Sequence, residues 1–273
     1  MLRSVRQKLK WICAGVVGAC CMALPLKAGA FLMEAGKGQI IISTRFEQSD
    51  RYFDSAGKLM PVRDYRKFEF QVWMEYGLTD DITLIFAPSM SHLSSSIPPT
   101  PVQAELKVQN IFGHAEAGAR MRLHQSEAGV FSVQATVRIG EKIYGMAAPL
   151  VRQEANELDL RILYGRNFSF GKFSGYFDAQ TGYRFRAGLG DEWRTDLTLG
   201  IAIYRNWTVL LQNFNLVAQK TARDPAKRSH KLQTSLVYTF SPQWSFQAGV
   251  FTTVAARNAR QDSGVIAAVW RKF

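Results

Sequence analysis

Residues 66–76 read RKFEFQVWMEY, and the reading of this stretch decides the fold. Phe68, Phe70, Val72, Met74 and Tyr76 fall on one parity, and Lys67, Glu69, Gln71, Trp73 and Glu75 on the other. A period of two belongs to a β-strand, whose successive side chains leave opposite faces. The pattern returns at 114–123, where Ala115, Ala117, Ala119, Met121 and Leu123 oppose His114, Glu116, Gly118, Arg120 and Arg122. At 131–140, Phe131, Val133, Ala135, Val137 and Ile139 oppose Ser132, Gln134, Thr136, Arg138 and Gly140. Further strands are expected at 39–47, 82–91, 157–165, 173–186, 193–203, 207–217, 231–240, 244–254 and 264–273, which makes twelve. The segment 207–217 is the least regular, because Asn213 interrupts its apolar parity. Pro88 removes a ladder donor from 82–91 and predicts an irregularity there. No run of about 18 apolar residues follows Gln39, which excludes helical membrane spans.

Alternation alone does not say which parity points inward. A soluble sandwich turns its apolar face to a core, whereas a membrane barrel turns it to lipid and keeps polar side chains in the lumen. Four features favour the barrel. The links after every second strand are short (GLTDD, QSEAG, RNFSFGK, RN, SPQ), while 48–64, 92–106, 141–156 and 218–230 are long and polar. Tyr76, Tyr164, Tyr204 and Tyr238 each close a strand before a short turn, and Phe168, Phe170, Phe173, Trp207 and Trp244 follow, as an interfacial girdle requires. Gly118, Gly140, Gly165, Gly182, Gly200, Gly249 and Gly264 all lie on the polar parity, where they relieve crowding inside a narrow barrel. Finally, Val265, Ala267, Val269 and Phe273 share a face in the last strand, which resembles the C-terminal signal read by the outer-membrane assembly machinery of Gram-negative bacteria. Arg271 departs from that signal and is expected to snorkel to the interface. An even strand count closes the sheet without an edge exposed to lipid. The expected fold is all-β: a twelve-stranded antiparallel transmembrane β-barrel with short periplasmic turns and longer extracellular loops.

The 273-residue chain has a formal charge of +12, but much of this belongs to its N-terminus. MLRSVRQKLK precedes the apolar run WICAGVVGACCMALPL, then Lys27 and the small-residue site Ala28-Gly29-Ala30, as in a secretory signal. Cleavage after Ala30 is expected, giving a signal peptide over 1–30 and a barrel over 31–273. Val17-Gly18-Ala19-Cys20 resembles a lipobox and offers the rival of lipidation at Cys20. Without residues 1–30 the chain keeps 29 basic and 22 acidic side chains, a net +7, so the high isoelectric point is no argument for nucleic acid in an exported protein. Cys13, Cys20 and Cys21 are the only cysteines, and four scattered histidines do not form a metal cluster, so no cofactor or metal is expected.

On the barrel reading, the lumen is lined by Lys67, Glu69, Glu75, Glu116, Arg120, Arg122 and Arg138 in the first half. Asp159, Arg161, Asp178, Arg184, Arg186, Arg194 and Asp196 line it in the second. These charges either neutralise one another as ion pairs that fill the barrel, or set up a transverse field that orients a solute or favours anions. Twelve strands enclose less space than the 16–18 of wide porins, so any conduit is restricted. The basic loops with Lys220, Arg223, Lys227, Arg228, Arg257 and Arg260 could rest on lipopolysaccharide phosphates or simply stay solvated.

The phrase Glu75-Tyr76-Gly77-Leu78-Thr79-Asp80-Asp81-Ile82-Thr83-Leu84, the later Asp191-Glu192-Trp193-Arg194-Thr195-Asp196-Leu197-Thr198-Leu199-Gly200 and the closing YTFSPQWSFQAGVF carry a family resemblance. Together they resemble outer-membrane barrels of the meta-pathway of phenol degradation family. The resemblance covers most of the chain after residue 30 and implies a passive channel or uptake protein for small compounds, aromatic ones included. It carries over no binding residue. Two other classes stand beside it. A surface barrel that transports nothing would need large folded loops, and these are modest; Ile97-Pro98-Pro99-Thr100-Pro101 reads as a stiff loop. An enzyme would resemble outer-membrane phospholipase A, a twelve-stranded barrel using a histidine, a serine two residues later, an asparagine and calcium. His92-Leu93-Ser94 has that spacing, but it reads as a serine-rich loop entrance without an asparagine partner, so no enzyme is expected. His114 beside Glu116 reads as a structural polar pair, and His124 and His230 as solvated strand ends.

Overall fold

A computed structural model of the chain describes residues 29–97, 106–145, 156–171, 173–222 and 224–273. Residues 1–28 of the expected signal segment, with Cys20 and the lipobox, lie outside the described residues, as do Pro98–Pro101 and Arg223. The strands are β1 (Gly38–Phe53), β2 (Leu59–Thr79), β3 (Ile82–Ile97), β4 (Leu106–Ser126), β5 (Gly129–Gly145) and β6 (Glu157–Phe170). They continue as β7 (Phe173–Arg186), β8 (Glu192–Tyr204), β9 (Trp207–Ala218), β10 (Lys227–Thr239), β11 (Trp244–Arg257), the two-residue β12 (Ala259–Arg260) and β13 (Ser263–Lys272). Each long strand pairs antiparallel with its neighbours in the chain, and β1 pairs with both β2 and β13. The result is a closed twelve-stranded barrel, with β12 a short ladder against the end of β1. Every spanning strand has a partner on both sides, which leaves no row of backbone donors and acceptors open to lipid.

Parity resolves as the barrel requires. On the outside, Ile139, Ile162 and Val250 are about 60% exposed, while the inward Glu75, Arg120 and Asp178 are 3% exposed or less. Aromatic rings pair at both ends of the wall. Near the short turns, Tyr164 packs on Phe131 at 4.8 Å and donates its hydroxyl to Ala128 O at 2.6 Å, and Trp207 packs on Tyr238 at 4.6 Å. At the long-loop end, Tyr183 lies between Phe185 and Trp193. The Arg271 guanidinium sits 5.3 Å over the Trp244 ring, so its charge stays at the girdle. The inward glycines seat large rings: a methyl at Gly200 would meet the Tyr176 ring at 2.2 Å, and one at Gly264 would meet the Phe251 ring at 2.7 Å.

Three expectations need correction. The segment 48–64 is not mainly loop, and the described start of 92–106 is strand. β1 runs on to Phe53 and β2 begins at Leu59, around a tight turn in which Asp54 Oδ1 accepts from the backbone of Ala56 and Lys58. β3 likewise runs to Ile97, so His92 and Ser94 belong to a strand and not to a loop entrance. In β9 the apolar side chains Leu210, Phe214 and Leu216 are on the inward parity, while Asn213 and Asn215 share the parity of the outward Leu211 and Val217, a local reversal of the general rule. The cost of that reversal is met locally. Asn215 Nδ2 donates to Thr195 O at 3.1 Å, and Asn215 Oδ1 lies 2.6 Å from Nδ1 of the exposed His230 near the start of β10. At Pro88 the β2–β3 ladder is interrupted between Gln71–Ser89 and Met74–Phe86.

Candidate functional site

Residues 29–37 are not part of the wall. Ala35 bridges Gly77 at the short-turn rim, and Met33 N donates to Thr83 Oγ1 at 2.9 Å. From there the segment enters the lumen. Phe31 O accepts from Arg120 Nη1 at 3.1 Å, Ala30 O accepts from Ser132 Oγ at 3.0 Å, and Ala30 N donates to Asp178 Oδ2 at 2.5 Å. Phe31 and Leu32 complete an apolar cluster with Val130, Tyr176, Leu210, Val237 and Trp270, all of them inward. Gly165 makes the room, since a side chain there would run into the Phe31 ring at 2.9 Å. Alternation predicts a uniformly polar lumen; the short-turn half instead contains a small apolar core. Leu163, Tyr176 and Val237 stand on the polar parity of their strands, and Phe31 of the docked segment packs with Tyr176 and Val237 in this cluster.

Above this plug lies a cavity of about 540 Å³. A continuous ion-pair network covers its β5–β8 wall. Arg138 reaches Glu116 at 3.1 Å and Glu157 at 3.5 Å; Arg184 binds Glu157 at 2.9 Å and Asp159 at 2.7 Å; Arg161 binds Asp159 at 2.7 Å and Asp196 at 2.6 Å. Arg186 bridges Glu157 and Glu192 at the rim. On the adjoining β1–β5 stretch of wall Arg120 holds Glu75 at 3.0 Å and Gln134, and Gln39 donates to the other Glu75 oxygen at 2.6 Å. Lys67 pairs with Glu69 at 2.5 Å, inward but away from the cavity. Such charge-assisted, two-pronged contacts hold guanidinium planes in place.

Of the fourteen side chains expected in the lumen, Arg122 does not belong there. It turns to the short-turn rim, where its Nε donates to Asp81 Oδ1 at 2.9 Å and it also contacts Asp80 O and Gln125. Arg122 keeps the inward parity opposite Ser132 but is the last in-register residue of β4 before the bulge between Arg122 and His124, which places its side chain at the rim. Asp159, Asp178 and Arg186 face inward but stand behind or beside the cavity lining. Sequence reasoning missed Arg45, Glu47, Lys231 and Asp262. Lys231 Nζ lies 3.3 Å from Glu47 and 3.6 Å from Asp262, and the Phe251 ring has Arg45 and Lys231 each 5.1 Å from its centroid. Arg45 and Glu47 share the inward parity of a strand the alternation had located, so that signal was available. Trp73, Phe214 and Leu216 add an apolar patch to the same cavity.

Two cations stand out. Among the described residues Arg45 and Arg194 form no ion pair, and Arg194 Nε is buried without a hydrogen-bond partner, although Arg194 lines the cavity with Asp196, Arg161 and Arg184 nearby. Eight basic side chains and four acidic ones line the cavity. Carboxylates behind the lining neutralise part of this excess, but the surface met by a solute is positive.

The other polar candidates do not assemble. His92 and Ser94 face outward on β3, and among the described residues no hydrogen bond joins them; the strand partners of His92 are Phe68 and Ile111. His114 Nδ1 lies 3.4 Å from Ser89 Oγ, while Glu116 is held by Thr136 at 2.8 Å and by Arg138. No group of three or more His, Cys, Asp and Glu side chains suited to a metal occurs among the described residues.

No family model matches the chain, and no curated protein matches it. Solved structures do. The COG4313 outer membrane channel from Pseudomonas putida F1 superposes with a TM-score of 0.63 at 12% identity, over 89% of this chain and 98% of that one. The translocator domain of the autotransporter NalP from Neisseria meningitidis gives 0.56 at 10% identity, over 99% and 95%. The β domain of the Bordetella autotransporter BrkA gives 0.52 at 12%, over 87% and 100%. At these identities the likeness concerns the fold, a twelve-stranded barrel of outer-membrane type.

Proposed function

We propose that the chain is an outer-membrane channel through which small anions, including those that carry an aromatic ring, diffuse passively. The observation that carries this reading is the cavity lining, with eight basic against four acidic side chains, and with Arg45 and Arg194 outside any ion pair among the described residues. A guanidinium already held by two carboxylates has little left for a solute, whereas a free one attracts an anion and releases it again. Trp73 and Phe214 offer an apolar surface beside those charges. The comparison structure from Pseudomonas putida F1 is described as an outer membrane channel, and the resemblance to the phenol-degradation family points to the same class. Export by a cleaved signal peptide, insertion by the barrel assembly machinery through the strand ending in Phe273, and contact of the basic loops with lipopolysaccharide belong to this reading.

Reconstitution into planar bilayers under a potassium chloride gradient tests it. Small conductance steps with a reversal potential of anion-selective sign are expected, and Arg194→Gln should move that potential toward zero. A cation-selective potential overturns the anion reading. An electrically silent membrane overturns conduction altogether and leaves a barrel that transports nothing.

A further inference from the structure

Asp178 is a buried carboxylate, 1% exposed, that makes no ion pair among the described residues, although the Arg120 guanidinium lies near enough to act on it. Its donors are Gln180 Nε2 at 2.8 Å and the backbone N–H of Ala30 at 2.5 Å. Every other inward carboxylate named above has an arginine or lysine against it, and leaving one buried charge uncompensated is costly. Gly29 adjoins the same group. A methyl there would stand 2.0 Å from Asp178 Oδ2. In standard geometry the Gly29 nitrogen lies about 2.5 Å from that methyl position, and hence within about 4.5 Å of the carboxylate.

We propose that Asp178 is the receptor for an α-ammonium created at Gly29 when the exported chain is processed between Ala28 and Gly29. A signal peptidase adds water across that peptide bond, Ala28 leaves as a carboxylate, and the Gly29 amine takes a proton. The new cation then closes the ion pair and latches the plug. The sequence favours a cut two residues later, after Ala30. That cut would discard Ala30, which is fully buried with its N–H on Asp178 and its carbonyl on Ser132 Oγ, and would remove both bonds. Ala28 supplies the small residue next to the earlier cut, with Leu26 in the other position of the A-x-A pattern. The inference rests on the export reading and is independent of what the lumen conducts.

N-terminal sequencing and intact mass of the protein purified from outer membranes come first, followed by labelling with an amine-directed anhydride at neutral pH. A chain beginning at Gly29 is expected. Its amine should label at least about tenfold more slowly in the native protein than in Asp178→Asn, the effect of a one-unit rise in amine pKa from ion pairing. Should that variant fail to assemble, the wild-type amine is compared before and after unfolding in urea, with the same protection expected. A chain beginning at Phe31 or Cys20, or equal labelling rates, overturns the proposal. A chain that retains Met1 overturns it through the export reading itself.

Discussion

Arg120 joins three parts of the molecule that the chain keeps far apart. One guanidinium holds Glu75 on β2, Gln134 on β5 and the carbonyl of Phe31 in the luminal segment. Arg120→Ala would leave Glu75 buried without its cation and the plug without an anchor. A loss of about 3 kcal/mol is expected, read as a lower urea midpoint in lipid vesicles and as noisier, larger conductance steps. Gly200 is the opposite case, a residue that matters through what it lacks. Its inward position faces the Tyr176 ring, itself 1% exposed, and an added methyl would meet that ring at 2.2 Å. Gly200→Ala should therefore cost about 1–3 kcal/mol of stability through overpacking, measured in the same urea titration.

At the scale of elements, β9 and β10 show what the barrel tolerates. Thr181, Thr195, Asn215 and His230 form one lateral row across four outward strands. They bond to one another and to backbone carbonyls, so the row carries its own partners at the wall. Asp262, in the turn between β12 and β13 at the cavity mouth, answers to pH. Burial, with Glu47 beside it, raises its carboxyl to about 6 against the pull of Lys231 and Lys227. As pH falls through about 6 the carboxyl takes up a proton. The mouth then becomes more positive, and anion preference should rise between pH 7 and pH 5 in a bilayer recording. Asp262→Asn should abolish the change and hold the low-pH preference at pH 7. The same raised value makes the protonated form the one favoured by the fold. Its contribution to stability is full below the ordinary carboxylate range and is lost as pH rises through about 6.

For the whole molecule, the apolar outer wall and the closed ladder predict a β-rich circular dichroism spectrum in detergent and a folded band that shifts on heating in gels; a helical spectrum would contradict the fold. Much of that fold was legible in the chain. Strand number, the alternation of short and long ends and the outward parity follow from a period of two. That period is imposed by backbone geometry within each strand and needs no knowledge of neighbours. The glycine parity was legible for the same reason, and so was the inward placement of most luminal charges. The luminal apolar core, the reversal at β9 and the departure of Arg122 were not. The chain by itself determined a closed barrel with a charged interior. Only the tertiary structure decided which arginine takes which carboxylate, which cations remain free, and where residues 29–37 dock. Those choices depend on register and closure, which bring together groups such as Ala30 and Asp178, 148 positions apart, and no local pattern records a distance of that kind.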